Sequence, residues 1–176
     1  TAIQSSSTNF LSGTITATIT VNPVTTVLTN FSAITKTFGN MQFSIRAPTT
    51  NSNGLITYTS SDISVATIAG NVVTIVSAGT STITASQAAT TNFSAETITA
   101  TLTVNPATPL LTNFSAITKT FGDVTFNITP PSSNSSGLIT YTSSNRLVAT
   151  IADNSINIVG AGSCTISATQ ASTANY

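Results

Sequence analysis

The sequence predicts an all-β chain built of tandem antiparallel β-sandwiches. Three observations carry this reading: an 83-residue internal repeat, apolar side chains at every second position, and chain breakers at short intervals. Leu28–Gly39 returns residue for residue as Leu111–Gly122. Without a gap, the same offset relates Tyr58 to Tyr141, Ala66-Thr67-Ile68 to Ala149-Thr150-Ile151, and Ala78-Gly79 to Ala161-Gly162. It also reaches the start of the chain, where Gln4, Asn9 and Phe10 match Gln87, Asn92 and Phe93, then Gln170, Asn175 and Tyr176. Residues 11–93 and 94–176 are identical at 52 of 83 aligned positions.

The breakers Gly39, Pro48, Asn53-Gly54, Gly70-Asn71, Gly79, Pro106 and Pro109 divide one period into about seven strands. These fall near 30–34, 41–47, 55–60, 65–69, 72–77, 80–87 and 97–104. The second alternates Met41, Phe43 and Ile45 with polar neighbours, and its copy alternates Val124, Phe126 and Ile128. In the fifth, Val73/Ile156 and Ile75/Ile158 stay apolar while Val72/Ser155 and Thr74/Asn157 become polar, which marks the inward face. In the last, Ile98, Ala100, Leu102 and Val104 alternate with threonines, as Ile15, Ala17, Ile19 and Val21 do earlier. Threonine suits the wet face, being polar yet stiff in the β region. The inward set predicts a core of Phe43, Ile45, Ile56, Tyr58, Ile68, Ile75, Ile83, Ala85, Ile98 and Leu102. Seven antiparallel strands in about 80 residues fit one two-sheet sandwich.

Composition narrows the function classes. Only 5% of the 176 residues are charged, the net charge is zero, and there is no His, no Trp and one Cys. The sequence thus has no electrostatic footprint for nucleic acid or an anionic membrane. Histidine metal sites, thiolate clusters and disulfides within the chain are excluded. Thr and Ser fill 63 positions, yet a mean hydropathy of +0.32 supplies enough apolar area to oppose disorder. No apolar run approaches the roughly 18 residues of a membrane helix, so no membrane insertion is expected. An enzyme needs a nucleophile with a base, paired carboxylates or a metal. Lys36 and Lys119 occupy equivalent places in separate repeats, and Asp62, Glu96, Asp123 and Asp153 occupy four different repeat positions. No catalytic residue, cofactor or metal is assigned.

Ile56–Asp62, Ser64–Ile68, Ala78–Ala85 and the closing Thr101-Leu102-Thr103-Val104 resemble the bacterial Ig-like domain family of the invasin/intimin kind. Ile139–Ser144, Val148–Ile151 and Ala161–Ala168 repeat the pattern, so the resemblance covers nearly the whole chain. Tyr58 and Tyr141 stand where that family often carries a core Trp. The resemblance implies tandem Ig-like sandwiches used as spacers, adhesive stalks or particle decorations of bacterial surface adhesins, phages and giant viruses. It implies no shared catalytic residues. The expected function is a structural, extracellular or virion-surface stalk, fibre or filament. The alternative is an adhesive module that binds a cell-surface protein or glycan.

Among single residues, Asn30 and Asn113 head equivalent Asn-x-Ser sequons and are the candidate glycosylation positions. Asn40 and Asp123 read as turn residues whose side chains bond nearby backbone. Cys164, which replaces Ser81, reads as a small buried hydrophobe. Phe31, Phe38, Phe114 and Phe121 read as core or inter-domain packing.

The phase of the repeat divides the chain into residues 1–22, the closing strands of a preceding repeat; 24–105, a complete domain; and 107–176, a domain without its last strand. Thr14, Ile15, Ala17, Ile19 and Val21 mark a segment equivalent to that last strand. Two explanations fit. Either the chain continues in a longer array, or Thr14–Val21 of one subunit completes residues 107–176 of the next. The expected partners are therefore adjacent repeats or copies of the chain, end to end.

Overall fold

The computed structural model describes all residues, 1–176, and contains eighteen strands and no helix. An N-terminal pair, β1 (Ala2–Gln4) and β2 (Gly13–Ile15), comes first. The first unit follows with β3 (Leu28–Thr29), β4 (Ile34–Thr37), β5 (Phe43–Ser44), β6 (Thr49–Thr50), β7 (Ile56–Ser60), β8 (Ala66–Ala69), β9 (Val72–Ile75), β10 (Gly79–Gln87) and β11 (Glu96–Asn105). The second unit holds β12 (Leu111–Thr112), β13 (Phe126–Asn127), β14 (Ser132–Ser133), β15 (Ile139–Ser143), β16 (Ala149–Ala152), β17 (Ser155–Ile158) and β18 (Ile166–Gln170).

In the first unit a four-stranded sheet, β4-β11-β10-β7, faces a three-stranded sheet, β5-β9-β8. Ile83, Leu102 and Val104 from the larger sheet meet Ala66 and Val73 from the smaller, with Ile45 and Val65 closing the cluster. Phe43, Tyr58, Ile68 and Ile75 pack on it half-buried, so the predicted inward register holds. Ile56 and Ile98 are only half-buried and lie outside the cluster. They sit at the end of the sheet where Gln87, opposite Ile56, fills the interior.

Two details differ from the sequence expectation. The first strand is not one element over 30–34. Asn30 takes a left-handed φ of 59° and breaks it into β3, which pairs with β6, and β4, which pairs with β11. The Asn30 amide donates to Thr49 Oγ1 at 3.1 Å, which fixes the break. The β4–β11 pairing is parallel, Leu102 opposite Ile34, so the sandwich is not wholly antiparallel. The second strand is also shorter than 41–47. Phe43 and Ser44 pair with Val73 and Val72, and Ile45 N donates to Asn71 O at 2.7 Å, but Met41 stands outside the ladder at 87% exposure.

The second unit repeats β5 to β9 at an offset of 83 residues, in the same pairings. Its larger sheet, however, is reduced to β15-β18. No strand covers the free side of β18, and 117–120, the counterpart of β4, forms no ladder. Its buried core shrinks to Ile128, Ala149 and Ile156.

Candidate functional site

Two features bear on assembly: the junction between the units and the open side of the second. At the junction, Asn105 ends β11 and Pro106 follows, so the second unit starts immediately. Ala107 N donates to Asn175 O at 2.9 Å and thereby ties the Asn175-Tyr176 dipeptide to the linker. That dipeptide then docks on the first unit. Ala78 N donates to Asn175 Oδ1 at 2.8 Å, and the Tyr176 ring meets Phe38 edge-on at 5.4 Å and 82°. A T-shaped aromatic pair adds about 0.5–1.5 kcal/mol beyond its buried area. Phe38 is itself fixed, since its N–H donates to Asn105 O at 2.8 Å.

Each half of this junction recurs. Val24 N donates to Asn92 O at 2.8 Å, the same tether one period earlier, so Asn92-Phe93 is presented as Asn175-Tyr176 is. Phe121 and Ala161 are the counterparts of Phe38 and Ala78, and both are exposed, Phe121 at 66%.

The open side of the second unit is a cleft of about 650 Å³ whose lining includes Ile117, Phe121, Phe126, Ile156, Cys164 and Ile166. Its counterpart in the first unit is filled by β11. There Ala100, Leu102 and Val104 are buried between β10 and β4. Removing such a strand exposes both an apolar groove and an unpaired ladder edge. Cys164 is consequently half-buried rather than the buried hydrophobe expected, although Ser81 at the same place is buried.

Thr14–Val21 matches Thr97–Val104 at every position but one, Ile19 for Leu102. Ile15, Ile19 and Val21 are 75%, 88% and 86% exposed, and Thr14, Ala17 and the rest of the segment are exposed as well. β1 and β2 nonetheless pair in the register of their counterparts: Ala2 opposite Ile15 repeats Ala85 opposite Ile98. The structure therefore brings the segment's base into its expected hairpin and leaves its apolar face uncovered.

The remaining predicted positions are turn residues. Asn30 and Asn113 are exposed, both at left-handed φ, and both amides donate to a hydroxyl, of Thr49 and Ser132. Asn40 Oδ1 accepts from Thr37 N at 2.9 Å and Asp123 Oδ2 from Thr120 N at 3.0 Å, so each side chain bonds the backbone three residues upstream and closes its turn. Asp62 caps its own turn, accepting from Ser64 N at 2.9 Å and Ser64 Oγ at 2.6 Å, and these bonds hold its carboxyl below the ordinary range. No group of three His, Cys, Asp or Glu side chains comes together.

The sequence reasoning did not assign a role to Gln87 and Gln170. Gln87 is 2% exposed, and its Nε2 donates to Ser52 O at 3.0 Å and Gly54 O at 2.9 Å. Thr50 Oγ1 donates to its Oε1 at 2.5 Å. Gln170 repeats this with Ser135 O, Gly137 O and Ser133 Oγ. The recurrence of glutamine at 4, 87 and 170 was the available signal. Lys36 and Lys119 are likewise paired with aromatic faces, 4.5 Å above Phe43 and 4.7 Å above Phe126.

No family model and no curated protein matches the chain.

Proposed function

We propose that the chain is a structural, non-enzymatic stretch of a sandwich array, an extracellular or virion-surface stalk, fibre or filament whose units resemble bacterial Ig-like domains. The observation that carries this reading is the junction. Successive units are not joined by a slack linker but by a docked dipeptide, with Ala78 N on Asn175 Oδ1 and Tyr176 on Phe38. A two-point contact beside a short Pro-containing linker restricts both bend and twist, which is what a stalk needs and an independent binding module does not. The parts of that contact recur at the repeat spacing, so the same joint serves any number of units. Adhesive recognition would call instead for a surface present in one repeat and missing from the other.

Residual dipolar couplings test the joint. The two units are expected to share one alignment tensor in the unmodified chain and to separate into two in Phe38→Ala. Units that already tumble independently with Phe38 and Tyr176 in place would remove the basis for a stalk.

A further inference from the structure

We infer that the first unit is a tension-bearing element, held against stretching by parallel pairing between the segment through which the chain enters it and the segment through which the chain leaves. The inference rests on the array reading and states what tension along the array does to one unit.

The entry segment, 24–37, and the exit segment, 93–105, run side by side in the same direction. Val24 forms a parallel bridge with Phe93, where Val24 N donates to Asn92 O at 2.8 Å and Ser94 N to Val24 O at 2.9 Å. The buried Thr26 adds a bond from its hydroxyl to Ser94 O. Further along, Ile34–Thr37 pairs parallel with Leu102–Asn105, and Phe38 N continues the ladder to Asn105 O at 2.8 Å. Parallel direction puts the entry, Val24, and the exit, Asn105, at opposite ends of the paired stretch. Tension along the array therefore pulls Val24 one way along the strand axis and Asn105 the other. The pairing is loaded in shear, and its cross-strand bonds are strained together. An antiparallel pair pulled apart at its open end yields one bond at a time instead.

Two further features make the pairing decisive. All of β5 to β10 lies between the two segments in sequence, so the unit lengthens little until they part and then opens as a whole. Slippage gives no relief, because Leu102 and Val104 are buried in the core with Ile34 packed on it. Moving β11 by one residue would turn Thr101 and Thr103 inward in their place. The load also leaves the unit where its neighbour is seated, since Asn105 bonds Phe38 and Phe38 carries Tyr176.

Single-molecule force spectroscopy on the full chain, in a Cys164→Ser background, tests this by direction. Handles on Asn22→Cys and Thr108→Cys load the unit from entry to exit. Moving the first handle to Thr80→Cys leaves the same fold but peels β11 from β10 at the open end of their ladder, where Thr80 lies opposite Thr103. All three positions are exposed. Entry-to-exit loading is expected to rupture in one step at a force several-fold above that of peeling. Release of residues 24–105 should then add about 250 Å of length. Proline substitutions address the pairing itself. Alternate N–H groups of a strand point to the same neighbour, so with Phe38 N on Asn105 O the N–H of Lys36 faces β11 and that of Thr35 faces away. Under a fixed entry-to-exit force, Lys36→Pro is expected to shorten the lifetime about fivefold relative to Lys36→Ala, the factor that about 1 kcal/mol per bond sets in a rate. Thr35→Pro is expected to leave it unchanged. Should Lys36→Pro not fold, the comparison of directions decides alone. Equal rupture forces in the two directions, or gradual lengthening before rupture under entry-to-exit loading, would overturn the inference. Either result leaves the joint, and with it the stalk reading, as the dipolar couplings find it, whereas a loose joint removes that reading without changing either force.

Discussion

Gln87 offers the sharpest test of how the first sandwich is closed at one end. Its side chain is almost wholly buried and makes three hydrogen bonds, to Ser52 O, Gly54 O and the Thr50 hydroxyl. Gln87→Ala removes all three and leaves two carbonyls without these donors. At about 1 kcal/mol net per bond, plus about 0.8 kcal/mol for each of two buried methylenes, the gross loss is about 4–5 kcal/mol. Returning the side chain's conformational freedom gives back up to about 2 kcal/mol. The expected cost is therefore about 3 kcal/mol, a drop on the order of 10–20 °C in a unit of this size. Gln87→Glu separates hydrogen bonding from volume. At neutral pH a carboxylate would face Ser52 O and Gly54 O with no proton to offer, so the loss should exceed that of alanine. It should ease below about pH 5, where a protonated acid can donate one bond. The counterpart Gln170→Ala should cost less, because Gln170 is only half-buried. Urea unfolding followed by heteronuclear NMR resolves the units, with the Thr57 and Thr140 amides as reporters. A Gln87→Ala loss below about 1 kcal/mol, or a Gln87→Glu chain as stable as its parent at pH 7, would refute the reasoning.

Four further outcomes are expected. Leu102→Ala should destabilise the first unit by about 2–5 kcal/mol in denaturant titration, whereas Ile19→Ala at the same repeat position, 88% exposed, should leave dilute monomer unaffected. The Ser64 hydrogen bonds hold the folded Asp62 carboxyl below its ordinary range, so its stabilisation is present above the unfolded value and lost as pH falls through the folded one. The first unit should weaken below about pH 4 and Asp62→Asn should remove that slope, while the second unit, with Asn145 in this role, should lack it in a pH series of melts. A double-mutant cycle on Phe38→Ala and Tyr176→Ala should give a coupling of about 0.5–1.5 kcal/mol; strict additivity would mean that the rings do not interact. Gly79→Ala should cost at least about 1–3 kcal/mol, because Gly79 has φ 145° and an added Cβ would lie 2.8 Å from Val65 Cγ2.

Much of the fold was legible because the repeat supplies two readings of each strand. Val73 and Ile156 stayed apolar while Val72 and Ser155 diverged, and Val73 and Ile156 are indeed buried. Alternation could not show where pairing stops. Met41 continues the apolar pattern of Phe43 and Ile45 yet has no partner strand, so it stands in solvent. Nor does alternation detect a change of sheet. Asn30 sits in the left-handed region to let β3 and β4 pair in different sheets, a backbone property that a local pattern of side chains does not encode. Gln87 escaped assignment because a buried amide looks like a surface one until its partners, Ser52 and Gly54, are brought across the loop. The open groove was legible from phase alone, but its consequence for Cys164 was not. That residue is inward-facing in register and still only half-covered, since burial depends on a strand from outside residues 107–176.

The edge itself argues that it is meant to be covered. Lone edge strands in stable proteins carry charges, prolines or bulges that stop another strand from adding. β18 and the residues leading into it, Cys164 to Gln170, contain none of these, and neither does Thr14–Val21. Both instead present alternating hydroxyl and apolar side chains, the pattern that β10 and β11 use to pair over nine residue pairs. Among the counterparts of Ile15, Ala17, Ile19, Val21, Ile117, Ile156 and Ile166, four (Val73, Ile83, Leu102 and Val104) belong to the seven-residue core of the first unit, and Ile34 packs against it. The side-chain pattern that closes the first sandwich is thus present unchanged along the β18 edge of the second.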